Sequence, residues 1–236
     1  DGSSERIQKS LKLEYQDDAS VEVIFAPHSG LPGVARAIGI ESSSADWIAF
    51  LDSDDTWVSS KIGAQLALAT KSRASLIYTN ARVFGKHGQS GNLLQNLPRN
   101  LKFRKLAKEN LVINSSVLVR RDVFSESVTY ATSPRVRTAE DYATWLRICT
   151  KYKLAGIDLP LTNYRMSETS IRKQNDHDPR IYALADFIMR ETIVRGPARA
   201  HPRLKILGLL EARLIHADLM IVAGLDETIW PPQVET

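Results

Sequence analysis

Three carboxylates directly follow an apolar run in the first quarter of the chain. Residues 47–51 are all apolar, and Asp52, Asp54 and Asp55 come next, with Ser53 between the first two. Such a run predicts a buried strand, and open α/β sheets bind ligands at the carboxyl ends of strands. Carboxylates this close repel unless a cation lies between them, which favours Mg²⁺ or Mn²⁺ bound together with substrate phosphates. The alternative is an acidic turn in which Asp55 or Ser53 caps a following helix.

A second acidic pair, Glu140 and Asp141, lies at the start of a segment with helical spacing, residues 139–152. Carboxylates in the first turn of a helix complement its dipole, and Thr138 is a suitable N-cap. The functional alternative is that Asp141 or Glu140 faces a cleft and acts as a general base. The sequence is compatible with both interpretations.

Strand-like and helix-like segments alternate along the chain and must position these acidic groups. The predicted strands cover residues 21–25, 47–51, 75–79, 114–119 and 154–161. The predicted helices cover residues 33–43, 57–71, 101–109, 139–152 and 179–194, and residues 84–99 read as a long loop. This alternation predicts an α/β domain with a mostly parallel sheet.

The composition predicts a folded chain. Of 236 residues, 43% are hydrophobic and 25% are charged, with a formal net charge of +4, which excludes a disordered chain. No run approaches the roughly 18 consecutive apolar residues of a transmembrane helix. The single cysteine, Cys149, excludes an internal disulfide and a zinc finger, and it fits a reducing compartment.

Basic residues cluster in and just before the predicted helix at 101–109. They are Arg99, Lys102, Arg104, Lys105 and Lys108. Binding of nucleic acid or of an anionic membrane needs such a clustered basic face, but a solvated surface is the default interpretation of a basic run.

Several motifs resemble those of the family 2 glycosyltransferases, which have the GT-A fold. Residues 46–57, DWIAFLDSDDTW, are similar to the family segment that carries the DXD metal motif. Residues 30–40, GLPGVARAIGI, resemble the stretch GxxxARNxGI, with Ala37 where Asn is common. Residues 1–3, DGS, resemble the second half of the DDGS nucleotide-binding element. Further along, residues 140–147, EDYATWLR, resemble the catalytic helix, and the pair Tyr164-Arg165 resembles the YR that follows the last core strand.

The resemblance implies an inverting glycosyltransferase with the GT-A fold: a mixed, mostly parallel sheet flanked by helices, here without its N-terminal strand. It implies one catalytic residue, Asp141, as the general base that deprotonates the acceptor. It implies Asp54 and Asp52 as ligands of Mn²⁺ or Mg²⁺. The implied substrate-binding residues are Asp1, Arg36, Asp52, Glu140 and Arg165.

The resemblance also implies the partners. The donor would be a nucleotide-diphosphate sugar, and the acceptor a saccharide or a lipid-linked molecule, as in the synthesis of cell-surface polysaccharide or glycan. The expected location is cytoplasmic, with room for a peripheral contact at the inner face of the membrane. Nucleic acid is not an expected partner.

The C-terminal tail does not resemble this family. Residues 208–214, GLLEARL, and 217–231, ADLMIVAGLDETIWP, resemble a segment of the AddB-type subunit of helicase–nucleases. We therefore predict an N-terminally truncated glycosyltransferase domain over residues 1–195 and an extension over residues 196–236. The alternative functions are an accessory or binding fragment in DNA double-strand break repair, or a catalytically inactive GT-A scaffold.

Overall fold

The computed structural model describes residues 4–85, 88–124 and 128–166, which belong to one of two units of the chain, Asp1–Thr192. The helices are α1 (Glu5–Glu14), α2 (Pro32–Ser42), α3 (Lys61–Ser72), α4 (Phe103–Leu106) and α5 (Glu140–Lys151). The strands are β1 (Trp47–Ala49), β2 (Thr56–Trp57), β3 (Leu76–Gly85), β4 (Gly88–Asn92), β5 (Asn100–Leu101), β6 (Leu118–Arg120) and β7 (Leu154–Arg165). Short 3₁₀ turns lie at Asn114–Ser116, Arg121–Val123 and Pro134–Val136. Within the described ranges, no helix has the length and apolarity needed to cross a membrane.

The strands form one mixed sheet in the order β1-β6-β3-β7-β2, with β4 beside β3 and β5 beside β7. The long central strands β3 and β7 are parallel, from the pair Leu76–Leu154 to the pair Phe84–Arg165. The other described pairings are antiparallel. The α/β class and the mixed sheet are confirmed, but parallel pairing does not predominate among the described strands.

Alternate residues of β3 face the two sides of the sheet, as the two-residue period of a strand dictates. Leu76 and Tyr78 pack in the larger core with Trp145 of α5. Ile77, between them, packs in a smaller core with Ala69 of α3. The sheet is therefore covered by α5 on one face and by α3 on the other.

Four of the predicted helices are confirmed as α2, α3, α4 and α5, with shifted ends. The helix predicted from residue 57 begins at Lys61 because Thr56 and Trp57 form β2 and pair with β7. The strand predicted at 154–161 is also confirmed and continues to Arg165.

Other local predictions were wrong. Residues 21–25 form no strand: Val21, Ile24 and Phe25 are exposed, and no described strand pairs with their backbone. Helix α1 was not predicted, although Ile7 and Leu11 have helical spacing, and none of its residues is buried. The loop predicted at 84–99 contains β4, and the strand predicted at 114–119 begins only at Leu118.

The helix predicted at 179–194, the boundary at residue 195 and the tail at 196–236 lie outside the described residues. The likeness of the tail to an AddB-type subunit stays a prediction.

Candidate functional site

Asp52 lies where the chain leaves β1, and two side chains hold its carboxylate. Phe50, two residues before Asp52, is buried, whereas Leu51 between them is exposed, so the apolar run ends in a turn at the sheet edge. Arg36 of α2 donates from Nη2 to Asp52 Oδ1 over 2.6 Å, and Asn114 Nδ2 donates to the same oxygen over 2.8 Å. The side chains of Arg36 and Asp52 remain 23% and 33% exposed, so a ligand can reach this ion pair.

The 3₁₀ turn at Asn114–Ser116 forms hydrogen bonds with Asp52, and its three polar residues are buried. The backbone N–H of Asp52 donates to Ser115 Oγ over 3.0 Å, and Trp57 Nε1 donates to the Ser115 carbonyl over 2.7 Å. The motifs in the sequence predict no functional role for this turn. A usable signal was present, since these three polar residues interrupt the apolar run at 111–119.

Tyr130 fixes the orientation of Asn114. Its hydroxyl donates to Asn114 Oδ1 over 3.0 Å, which leaves Asn114 Nδ2 to donate to Asp52. The guanidinium of Arg36 lies 5.7 Å from the centroid of the Tyr130 ring. Burial raises the pKa of Tyr130, and the charge of Asp141 adds to this effect, so the phenol keeps its proton and stays a donor. No motif in the sequence predicts a role for Tyr130 either.

Asp141 lies in the first turn of α5, next to this network. The backbone N–H of Tyr142 donates to Asp141 Oδ1 over 2.7 Å. Burial raises the pKa of Asp141, and the charges of Asp52 and Glu140 raise it further, while the Tyr142 N–H and Arg36 oppose the rise. Because Arg36 and Asp52 both act on the Asp141 carboxylate, the structure brings these three predicted residues into one site.

The backbone before α5 differs from the prediction. Ala139, not Thr138, is the N-cap residue, and no side chain caps the helix. Thr138 has a φ of 71°, a left-handed conformation that is strained for a β-branched residue. Glu140 is buried, and its Oε1 has no hydrogen-bond partner in the described part of the chain. Its side chain packs against Gly33 of α2, and its predicted contact with substrate stays a prediction.

Asp54 and Asp55 differ sharply in environment. Asp55 is buried and does not cap α3, because its Oδ1 accepts the backbone N–H of Arg165 over 2.8 Å and so joins the turn to the end of β7. The exposed Asp54 has its carbonyl oxygen 3.0 Å from Arg165 Nε, which donates to it. The guanidinium of Arg165 also lies 4.6 Å from the centroid of the Phe84 ring. Arg165 is therefore held at this turn by the backbone of Asp54, whose side chain is exposed.

A buried lysine, Lys61, contacts Trp57 near the acidic turn. Lys61 is fully buried, its Nζ lies 4.2 Å from the centroid of the Trp57 ring, and within the described ranges it has no hydrogen-bond partner. Burial lowers the pKa of Lys61 to about 7. Lys61 thus contacts the indole of Trp57, which donates to the carbonyl of Ser115, the residue whose hydroxyl bonds to Asp52.

The carboxylates of the acidic turn differ in how well they fit a divalent cation. Among the described residues, no group of three or more His, Cys, Asp or Glu side chains lies close enough to hold a metal alone. Mg²⁺ commonly takes only one or two carboxylates and completes its shell with water and substrate phosphates. The exposed Asp54 fits that pattern, whereas Asp52 Oδ1 already accepts two hydrogen bonds. Asp1, the remaining predicted site residue, lies outside the described residues.

The sequence and the fold agree with those of known proteins. Residues 1–127, more than half of the chain, match the family described as glycosyl transferase family 2. This chain belongs to glycosyl transferase family 2. The Bacillus subtilis glycosyltransferase TuaG, named for teichuronic acid biosynthesis, is 26% identical over 172 residues, which cover 72% of this chain and 65% of TuaG. The Escherichia coli UDP-Glc:α-D-GlcNAc-diphosphoundecaprenol β-1,3-glucosyltransferase WfgD is 26% identical over 161 residues, 67% of this chain and 60% of WfgD.

The chain spans less than two thirds of the length of these curated relatives. Among solved structures, S. aureus TarS 1–349 in complex with UDP-GlcNAc matches with a TM-score of 0.61 at 14% identity. The match covers 81% of this chain and 55% of the TarS chain. This likeness confirms the predicted GT-A fold.

Proposed function

We propose that this glycosyltransferase transfers a sugar from a nucleotide-diphosphate sugar to an acceptor hydroxyl, with inversion at the anomeric carbon. The observation that carries the proposal is the position of Asp141, a carboxylate with a raised pKa beside the Arg36–Asp52 ion pair. Carboxylates with a raised pKa in a charged site are typical of general bases.

Two arginines supply charge for the donor. Arg36 and Arg165 lie at the two sides of the acidic turn, beside Asp52 and Asp54 respectively. Guanidinium groups bind diphosphate oxygens through paired, charge-assisted hydrogen bonds. Asp52, oriented by Arg36 and Asn114, accepts hydrogen bonds from the ribose hydroxyls, and Asp1 contacts the nucleoside.

Asp141 takes the proton of the acceptor. The acceptor oxygen attacks the anomeric carbon and forms the new glycosidic bond, while the bond to the diphosphate oxygen breaks and its electron pair leaves with the diphosphate. The proton of the hydroxyl moves to the Asp141 carboxylate, which the N–H of Tyr142 holds in place through Oδ1. A single displacement of this kind inverts the configuration, and the raised pKa makes Asp141 a stronger base than an ordinary aspartate.

We propose that Asp54, with Asp52 beside it, holds Mn²⁺ or Mg²⁺ when the donor is bound. The cation would stabilise the negative charge of the departing nucleoside diphosphate. The proposal is supported by the exposure of the Asp54 carboxylate, which leaves it accessible to a cation and to the donor phosphates.

The relatives suggest the substrates. WfgD is named for a UDP-glucose donor and a diphosphoundecaprenol acceptor, TuaG for teichuronic acid biosynthesis, and the TarS complex contains UDP-GlcNAc. We therefore propose a UDP-sugar donor, a saccharide or lipid-linked acceptor, and a role in polysaccharide biosynthesis on the cytoplasmic side of the membrane.

Titration calorimetry with UDP-, GDP- and TDP-sugars, with and without Mn²⁺, tests the proposal. We expect binding of at least one nucleotide sugar that strengthens with the cation, and NMR of the product should show an inverted anomeric centre. Nucleotide binding without turnover on any saccharide or lipid-linked acceptor would favour the inactive scaffold. Binding of duplex DNA without nucleotide binding would contradict the proposal and favour the repair fragment.

A further inference from the structure

The excess positive charge of the whole chain lies in one short segment. Residues 99–109 contain five basic residues and one acidic residue, Glu109. The chain has 31 basic and 27 acidic residues, so the rest of it carries 26 of each and is formally neutral. We call the five basic residues Arg99, Lys102, Arg104, Lys105 and Lys108 the basic segment.

The backbone of this segment is fixed to the core. The carbonyl of Arg99 accepts the N–H of Gly156 in β7 over 2.8 Å, and Leu101 pairs with Leu154. Leu106 is fully buried, and its carbonyl accepts the hydroxyl of Tyr142 over 2.8 Å. The segment is therefore a rigid part of the fold, attached to the residue that follows Asp141.

The charged side chains of the segment point the other way. All five are exposed, and within the described ranges none of them forms an ion pair. Burial of Leu101 and Leu106 and partial burial of Phe103 turn the apolar side of the segment inward. The result is an outward-facing cationic surface with no acidic partner in the described structure.

We propose that the basic segment docks the enzyme onto a membrane surface of anionic lipid headgroups. Docking would bring the site close to a lipid-linked acceptor, whose reactive hydroxyl lies near the membrane surface. This role of the contact rests on the proposed function. A cluster of Lys and Arg near an anionic leaflet contributes about 1 kcal/mol of attraction per residue, or about fivefold in binding constant.

Nucleic acid fits this surface less well. Proteins that bind single strands combine cations with aromatic side chains on which bases stack. The aromatic residue of the segment, Phe103, packs against the core cluster instead. Sequence-specific duplex binding needs an element that enters a groove, and α4 is a single turn of four residues.

The test is co-sedimentation of the full chain with vesicles of phosphatidylcholine containing 30 mol% phosphatidylglycerol, at about 0.1 M salt and with no nucleotide sugar. We expect binding that weakens with salt and is absent for pure phosphatidylcholine vesicles. The triple variant Lys102→Gln, Arg104→Gln, Lys105→Gln should bind on the order of 100-fold more weakly, about fivefold for each charge. The single variant Lys105→Gln, expected to lose about fivefold, serves if the triple variant does not fold.

A matched control lies on α1, where Arg6, Lys9 and Lys12 are also exposed. Changing these three residues to Gln removes the same charge and should leave vesicle binding within about twofold of the wild type, a smaller loss than that expected for Lys105→Gln. Equal losses in the two triple variants, no binding of the wild type to anionic vesicles, or binding to duplex DNA but not to vesicles would each overturn the proposal. Nucleotide titration of the same variants tests the glycosyltransferase function separately, because it needs no membrane.

Discussion

The contact between α2 and α5 allows the site to be disturbed without removing any of its polar groups. Gly33 of α2 packs against Glu140 of α5, and a Cβ at Gly33 would lie 3.2 Å from Cβ and Cγ of Glu140. The same carbon would overlap the carbonyl oxygen of Ala131. A Gly33→Ala substitution must therefore shift α2 away from the Ala131 backbone and from Glu140 of α5, and Arg36 on α2 would move with the helix.

The magnitude follows from overpacking, because backbone atoms cannot swing aside as a flexible side chain can. Inserting a methyl group into a close-packed contact typically lowers the free energy of unfolding by about 1–3 kcal/mol. For a domain of 150–250 residues, each kcal/mol corresponds to about 2–4 °C in Tm. We expect Gly33→Ala to lower Tm by roughly 2–12 °C and to weaken nucleotide binding, since Arg36 shifts with the helix.

The matched control is Gly39→Ala in the same helix, where a Cβ meets no atom within 4 Å. Alanine is favoured over glycine in a helix by about 1 kcal/mol, so this variant should melt at or above the wild-type Tm. Both variants are compared by thermal unfolding followed by circular dichroism and by titration with UDP. If Gly33→Ala melts no lower than Gly39→Ala, the described packing of α2 on α5 is incorrect.

Three further predictions follow from the charges of the site. The unfolded chain holds a proton on Lys61 up to about pH 10.4, and the folded chain only up to about pH 7. The free energy of unfolding should therefore rise between these values by up to about 1.4 kcal/mol per pH unit, and Lys61→Met should flatten this rise in urea titrations. In pH–rate profiles at saturating donor, Arg36→Met should move the acidic limb, set by Asp141, to higher pH, and Asp52→Asn should move it lower; shifts of the same sign would contradict the assignment. Asp54→Ala should abolish the Mn²⁺-dependent part of nucleotide binding, and unchanged Mn²⁺ dependence would remove Asp54 from the metal site.

Much of the fold could be predicted because its signals are local. The apolar run before Asp52 and the amphipathic pattern after Asp141 both depend only on residues that are close in sequence. The resemblance of the motifs predicts Asp52 and Asp141 in one site. In the structure the charge of Asp52 raises the pKa of Asp141, so the two carboxylates interact.

The supporting residues could not be predicted because their partners are distant in sequence. Asn114 bonds to Asp52 across 62 positions, and Tyr130 bonds to Asn114 across 16, so no periodic pattern connects them. The strand predicted at 21–25 failed for the same physical reason. Its β-branched residues favour a strand, but a strand forms only where a neighbour takes its hydrogen bonds, and no described strand does so.

The central claim is that Asp141 is the base of a glycosyl transfer, and the Asp141→Asn variant tests it most directly. The change keeps the shape of the side chain and removes its ability to take a proton. With Asp17→Asn, an exposed aspartate, as the control, both variants are titrated with the nucleotide sugar that the wild type binds, and turnover is measured on the same samples. We predict that Asp141→Asn binds the donor within about twofold of the wild type and loses at least 100-fold in kcat, the typical contribution of a general base. Turnover within tenfold of the wild type, with donor binding intact, would contradict the account.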